Sequence, residues 1–182
     1  MSKALIVIDV QKAFEHPSWG KRNNQNAEEH IKRLIDYWRK WNETIIHIQH
    51  ISTNPKSLFF FEHDTAHFKE IVQPLGDEIV IQKQVNSAFI GTDLEKILHE
   101  KQIRDVVIVG LTTPHCVSTT IRMSANLGFK TTVIADATAA FELTDHKGIT
   151  YDAETIHSIS LATLHGEFAD VKSIDEWLKE MS

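Results

Sequence analysis

Three residues combine reactive side chains with positions from which a folded chain could bring them together: Asp9, Lys83 and Cys116. Cys116 is the single cysteine of the sequence, so it forms no internal disulfide and belongs to no cysteine-rich zinc site. A deprotonated thiol is a nucleophile, a carboxylate can take its proton, and an amine can hold the resulting charges in place. Cys116 closes the stretch Gly110-Leu111-Thr112-Thr113-Pro114-His115, in which Thr113 reads as an N-cap and Pro114 as a first helical residue. A thiol in that first turn would face unpaired backbone N–H groups and the positive end of the helix dipole, both of which favour thiolate. Backbone N–H groups of the same turn could form an oxyanion hole. Each residue also has an ordinary reading. A lone cysteine is often a small buried hydrophobe, an aspartate after a strand a turn residue, and a lysine there a solvated charge. The shared placement at strand ends is what argues for one site.

The elements that must position these residues follow from hydrophobic patterning. Short β-branched runs at residues 4–8, 44–49, 78–82, 106–109 and 131–135, with a weaker one at 169–172, predict strands. Most are continuous rather than alternating, as expected of parallel strands covered on both faces. Helical patterns lie between them. Residues 26–41 place Ala27, Ile31, Leu34, Ile35, Trp38 and Trp41 on one stripe, and Thr92 with Glu95 reads as a capping box opening a second helix. Gly128 closes the helix that begins after Thr113, Asp152 caps another, and Ser173 with Glu176 caps a last one. Residues 52–67, with Asn54-Pro55 and then Leu58-Phe59-Phe60-Phe61, read as a long loop or lid. The alternation predicts a Rossmann-like, three-layer α/β/α fold with a mainly parallel sheet. In such sheets ligands bind beyond the carboxyl ends of the strands, near the point where strand order reverses. Asp9, Lys83 and the Gly110-to-Cys116 turn all fall at that edge.

Composition sets the outer bounds. The sequence has 182 residues, 42% of them hydrophobic and 24% charged, which fits one globular domain over residues 1–182. A net charge of -6 removes the basic footprint of a general nucleic-acid binder. No apolar run approaches the ~18 residues of a membrane span, and the first strand lacks the features of a signal peptide. With one cysteine, the expected compartment is a reducing cytoplasm.

The sequence resembles the isochorismatase-like cysteine hydrolases, which include nicotinamidases, N-carbamoylsarcosine amidohydrolases, streptothricin hydrolases and isochorismatases. The matching stretches are Leu5-Ile6-Val7-Ile8-Asp9-Val10-Gln11, Gln82-Lys83-Gln84-Val85-Asn86-Ser87-Ala88-Phe89 with Thr92-Asp93-Leu94, Val109-Gly110-Leu111-Thr112-Thr113-Pro114-His115-Cys116-Val117, and Asp136-Ala137-Thr138. The resemblance implies a six-stranded sheet of order 3-2-1-4-5-6 and a catalytic triad of Asp9, Lys83 and Cys116. It further implies a cis peptide at Leu111-Thr112, with the N–H groups of Thr112 and Cys116 as oxyanion donors. Phe14 and Phe89 match pocket positions, and His115 is a candidate substrate-facing residue.

The implied reaction is hydrolysis of a carbon–nitrogen bond in a small-molecule amide, with no cofactor. The alternatives are an isochorismatase-type vinyl ether hydrolase and a non-catalytic binding protein on the same fold. Metal-dependent nicotinamidases carry an Asp-x-His element after the second strand, whereas this sequence has His47-Ile48-Gln49-His50-Ile51 and no Asp there. That disfavours a nicotinamidase, and His63-x-x-x-His67, despite ligand-like spacing, reads as an exposed helix face rather than a metal site. Trp38, Trp41 and residues 59–61 supply aromatic surface that predicts a homo-oligomer, as does the resemblance.

Overall fold

Strand β1 (Lys3–Ile8) is apolar along nearly its whole length because it lies mid-sheet, with parallel neighbours β2 (Thr44–His50) on one side and β4 (Asp105–Leu111) on the other. The computed structural model describes residues 3–181. Together with β3 (Ile79–Lys83), β5 (Lys130–Ala139) and β8 (Asp170–Lys172), these strands form a six-stranded sheet of order β3-β2-β1-β4-β5-β8, every pairing parallel. This is the expected order. The sixth sheet strand is the eighth in the chain because a small antiparallel hairpin, β6 (Leu143–Thr144) with β7 (Thr150–Tyr151), intervenes. Patterning did not reveal that hairpin, whose strands are two residues long and exposed.

Side chains alternate between the two faces of β1. Leu5 and Val7 pack with Ile31, Leu34, Ile35 and Trp38 of α1 (Ala27–Lys40) and with Trp177 of α5 (Ile174–Met181). Ala4, Ile6 and Ile8 face the other layer, which contains Leu94 and Leu98 of α2 (Leu94–Glu100), Ile121 of α3 (Ser118–Asn126) and Leu161 of α4 (Ala153–Ala162). Each fully buried Leu, Ile or Val contributes roughly 1.5–3 kcal/mol, so β1 anchors both layers. The helix starts at Asp152 and Ser173 behave as patterned: Asp152 Oδ1 accepts from the Thr155 N–H, and Ser173 and Glu176 bond reciprocally.

Three expectations are corrected. Thr92 forms no capping box: its hydroxyl donates to the Ala88 carbonyl and accepts from the Leu94 N–H at 3.4 Å rather than from Glu95, and the N-cap of α2, Asp93, makes no side-chain cap bond. Trp38 is buried and stacked on Trp177 at 4.7 Å, so it offers no surface aromatic; Trp41, at the end of α1, remains exposed. Of residues 59–61, Phe59 turns inward against Phe14 at 5.3 Å while Phe61 stays exposed. No helix among the described residues is long and apolar enough to cross a membrane.

Candidate active site

The site forms where β1 and β4 end side by side. Gly110 lies in register with Ile8, with φ at +121°, and a Cβ placed on it would sit 2.1 Å from the Ile8 carbonyl oxygen. Only glycine permits that approach. Directly after Ile8 the backbone of Asp9 turns into the left-handed region (φ 51°), a conformation a short polar residue tolerates better than most. Its N–H remains bonded to the Ile48 carbonyl at 2.9 Å. Gln11, fully buried, ties this turn to β2 and the loop over residues 52–67: its amide donates to the His50 and Ala66 carbonyls and its oxygen accepts from the His50 N–H.

Beyond β4 the Leu111–Thr112 peptide is cis. Residues Thr113–Val117 then form a π-type turn, with the Val117 N–H reaching the Thr112 carbonyl at 3.3 Å, before α3 begins. Thr112 rather than Thr113 therefore precedes the helical segment, and Cys116 is its fourth residue rather than its third. Turns of this kind recur at functional sites. The Thr113 hydroxyl bonds His157 Nδ1 at 2.8 Å, bracing the turn against α4.

Lys83, the last residue of β3, is buried rather than solvated, and its ammonium joins the two strand ends. It donates to Asp9 Oδ2 at 2.7 Å, to Cys116 Sγ at 3.2 Å and to His50 Nδ1 at 2.9 Å. Because His50 accepts at Nδ1, its own proton resides on Nε2. Asp9, His50 and Cys116 bring donor atoms within 4.8 Å of one another, a spacing that could hold a metal ion. The Lys83 ammonium bonds all three and so takes the cation's place. The His63/His67 pair does not lie on a helix face. Residues Asp64–Ala66 between them form a single 3-10 turn, and His67 bonds Asp64 instead.

The charges follow from burial. Burial raises the Asp9 carboxyl above its ordinary value, against the opposing pull of Lys83, and Oδ1 has no hydrogen-bond partner. Burial, reinforced by the neighbouring Asp9, pushes the Cys116 thiol up to about 12. Both shifts favour the neutral forms, so burial opposes the preformed thiolate expected from a helix N-terminus. His50 is pushed down to about 4 by burial and by the Lys83 charge, and stays a neutral imidazole.

A cavity of about 270 Å³ opens onto Cys116 and Asp9. Its aromatic lining is Phe14, Trp19 and Phe59, with Phe14 and Trp19 centroids 4.9 Å apart. Its polar lining is His50, whose ring lies 5.1 Å from that of Phe59, with Asn86, Thr112 and His115, the His115 Nδ1 bonded to the Thr112 hydroxyl at 2.9 Å. Phe14, His115 and Thr112 line this cavity. Phe89 does not. The chain turns after Asn86, with the Ala88 N–H held by the Thr120 hydroxyl, and the Phe89 ring stacks on Phe129 at 5.9 Å in the core. Asn86 takes that place in the wall, its Oδ1 lying 3.9 Å from Sγ. Sequence reasoning missed His50 and Asn86, although both stand in stretches it singled out: one ends β2 beside Lys83, the other follows Lys83 by three residues.

A family profile described as an isochorismatase domain matches residues 3–175. The uncharacterized isochorismatase family protein YrdC of Bacillus subtilis is 54% identical over 178 residues, covering 98% of this chain and 95% of the relative. The uncharacterized YddQ of the same organism is 30% identical over 181 residues, covering 98% and 100%. A solved isochorismatase-family structure from Chromobacterium violaceum superposes with a TM-score of 0.95 at 38% identity, over 98% of this chain and 92% of that one.

Proposed function

Because the chain belongs to the isochorismatase family of hydrolases, we propose that it is a cysteine hydrolase that cleaves the carbon–nitrogen bond of a small amide through a thioester. The observation that carries this reading is the buried Lys83 ammonium, 2.7 Å from Asp9 and 3.2 Å from Cys116 at the floor of a cavity. Asp9 Oδ1 takes the thiol proton as sulfur attacks the amide carbon, and the backbone N–H groups of Thr112 and Cys116 hold the oxyanion. The tetrahedral species collapses, the carbon–nitrogen bond breaks, and Asp9 returns the proton to the departing amine. Asp9 then draws a proton from water, hydroxide adds to the thioester carbon, and the carboxylic acid leaves with the thiol restored. The N–H donors of Lys83 stabilise whichever of Asp9 and Cys116 is the anion.

Two relatives named for amide substrates support the choice of bond. Nicotinamidase 3 of Arabidopsis thaliana is 25% identical over 95% of this chain, and maleamate amidohydrolase of Pseudomonas putida is 30% identical over 50% of it. The deciding experiment is Cys116→Ala assayed on a panel of small amides that the wild type hydrolyses. Turnover should fall by about 10³-fold or more, with circular dichroism and melting temperature close to wild type. A retained rate would refute covalent catalysis.

A further inference from the structure

The chemistry of the cavity wall narrows the substrate, an inference that rests on the amide-hydrolase reading above. Among the described residues no lysine or arginine side chain lines the cavity. The cation beneath it, Lys83, has a wholly buried side chain and commits its three N–H donors to Asp9, His50 and Cys116. An ammonium has three donors, so none remains for a substrate carboxylate, and the Asp9 charge already offsets its own. Burial also keeps His50 and His115 below the ordinary imidazole value, so both present neutral rings.

The aromatic lining offers faces rather than donors. The Trp19 indole N–H is spent on the Ala13 carbonyl at 2.8 Å, leaving its ring to pack with Phe14 and Phe59. A carboxylate entering this space would shed its water with no cation to replace it. A flat apolar group would instead gain contact with the Phe14, Trp19 and Phe59 rings and find the polar groups of Asn86 and Thr112 in the same cavity. We infer that the site selects small uncharged amides with a flat apolar body, and rejects amides that carry a carboxylate.

The test reads Cys116 directly and needs no turnover, so it stays informative even if the amide-hydrolase reading fails. Iodoacetamide and iodoacetate deliver the same group at nearly the same size and differ in charge. Since Cys116 is the only cysteine in the sequence, intact-protein mass reports its labelling. Rates are normalised to those of 2-mercaptoethanol and taken in 0.5 M salt, where the overall charge is screened. The normalised preference for iodoacetamide should be tenfold or more. A ratio near one, or a preference for iodoacetate, would overturn the proposal. Phe59→Arg, which places a guanidinium on the aromatic wall, should bring the ratio down several-fold; an unchanged ratio in that variant would likewise count against it.

Discussion

Two carboxylates lie near opposite ends of the β2–β3 pair, each beside a cation and a histidine of β2, and their surroundings give them opposite properties. Glu78, just before β3, meets Arg39 of α1 through two bonds of 2.7 and 3.0 Å, and also meets His47 at 2.9 Å and the Leu75 N–H at 3.0 Å. Burial alone would raise Glu78, but the bonds from Arg39, Leu75 and His47 prevail and bring it to about 2. Asp9 is more deeply buried, has one oxygen on Lys83 and the other on nothing, and is raised. A carboxylate saturated with donors is a fixed anion and a poor base. One with a bare, desolvated oxygen beside a thiol is poised to accept a proton. An acid, a base and a histidine in one cluster therefore do not define a site. Nor does a cavity, since one of about 340 Å³ is lined by Arg39 and Glu78; the unsatisfied carboxylate oxygen beside a thiol does.

Matched isosteric changes should separate the two clusters. Asp9→Asn is expected to lower kcat/KM by about 10³-fold, since it removes the base while keeping the shape. Glu78→Gln should leave kcat within about twofold and cost roughly 1 kcal/mol, a fall of about 2–4 °C in melting temperature for a chain of this size. Steady-state kinetics with thermal melts on both variants checks this, and a Glu78→Gln enzyme with severely reduced kcat would break the contrast. Gly110→Ala comes next. The added methyl meets the Ile8 backbone, so β1 and β4 must part or the turn must shift, with a stability loss on the order of 3 kcal/mol and a fall in kcat out of proportion to it.

These contrasts also mark what the sequence discloses. The strands were legible because parallel strands buried on both faces are unbroken apolar runs, and β1 shows this most clearly. Asp9, Lys83 and Cys116 were legible because each ends such a run or begins the turn after it. His50 was not, because a histidine at a strand end becomes informative only once register places it opposite Lys83. Phe89 misled because the turn after Asn86 is fixed by the Thr120 hydroxyl, far away in sequence. Trp38 misled because its cover, Trp177, comes from the last helix.

The pH dependence of stability should differ in sign between the two carboxylates. Glu78, lowered from 4.5 to about 2, contributes stability that is present above its unfolded value and is lost as pH falls from there toward 2. Asp9, raised from 3.8, does the reverse: the folded state binds the proton more tightly, so its contribution is full below the unfolded value and is lost as pH rises through the folded one. Urea unfolding between pH 2.5 and 7 should show a weaker acid-side loss in Glu78→Gln and a weaker loss on raising pH in Asp9→Asn. The rate should increase with pH as Asp9 becomes the free base, on a limb with its midpoint above 3.8. A midpoint at or below 3.8 would remove Asp9 from the role of base.

A smaller effect than that of Asp9→Asn is expected at His50. The only side-chain hydrogen bond of His50 among the described residues is the one its Nδ1 accepts from Lys83 at 2.9 Å. It acts through that lysine, as a positioning residue. Removing the acceptor in His50→Leu leaves a buried ammonium with one donor unpaired, free to rotate away from the line joining Asp9 and Cys116. A fall of about tenfold in kcat with little change in KM is expected, together with a displaced acid limb, because the ammonium that opposes protonation of Asp9 is no longer held in place. His50→Gln, whose side-chain oxygen can accept the same bond, should recover most of the rate and return the limb toward wild type. A purely space-filling role predicts the reverse ranking, with leucine tolerated as well as glutamine and the pH profile unmoved in both. The kcat and pH profiles of this pair therefore decide whether the third bond of Lys83 belongs to the chemistry or only to the wall.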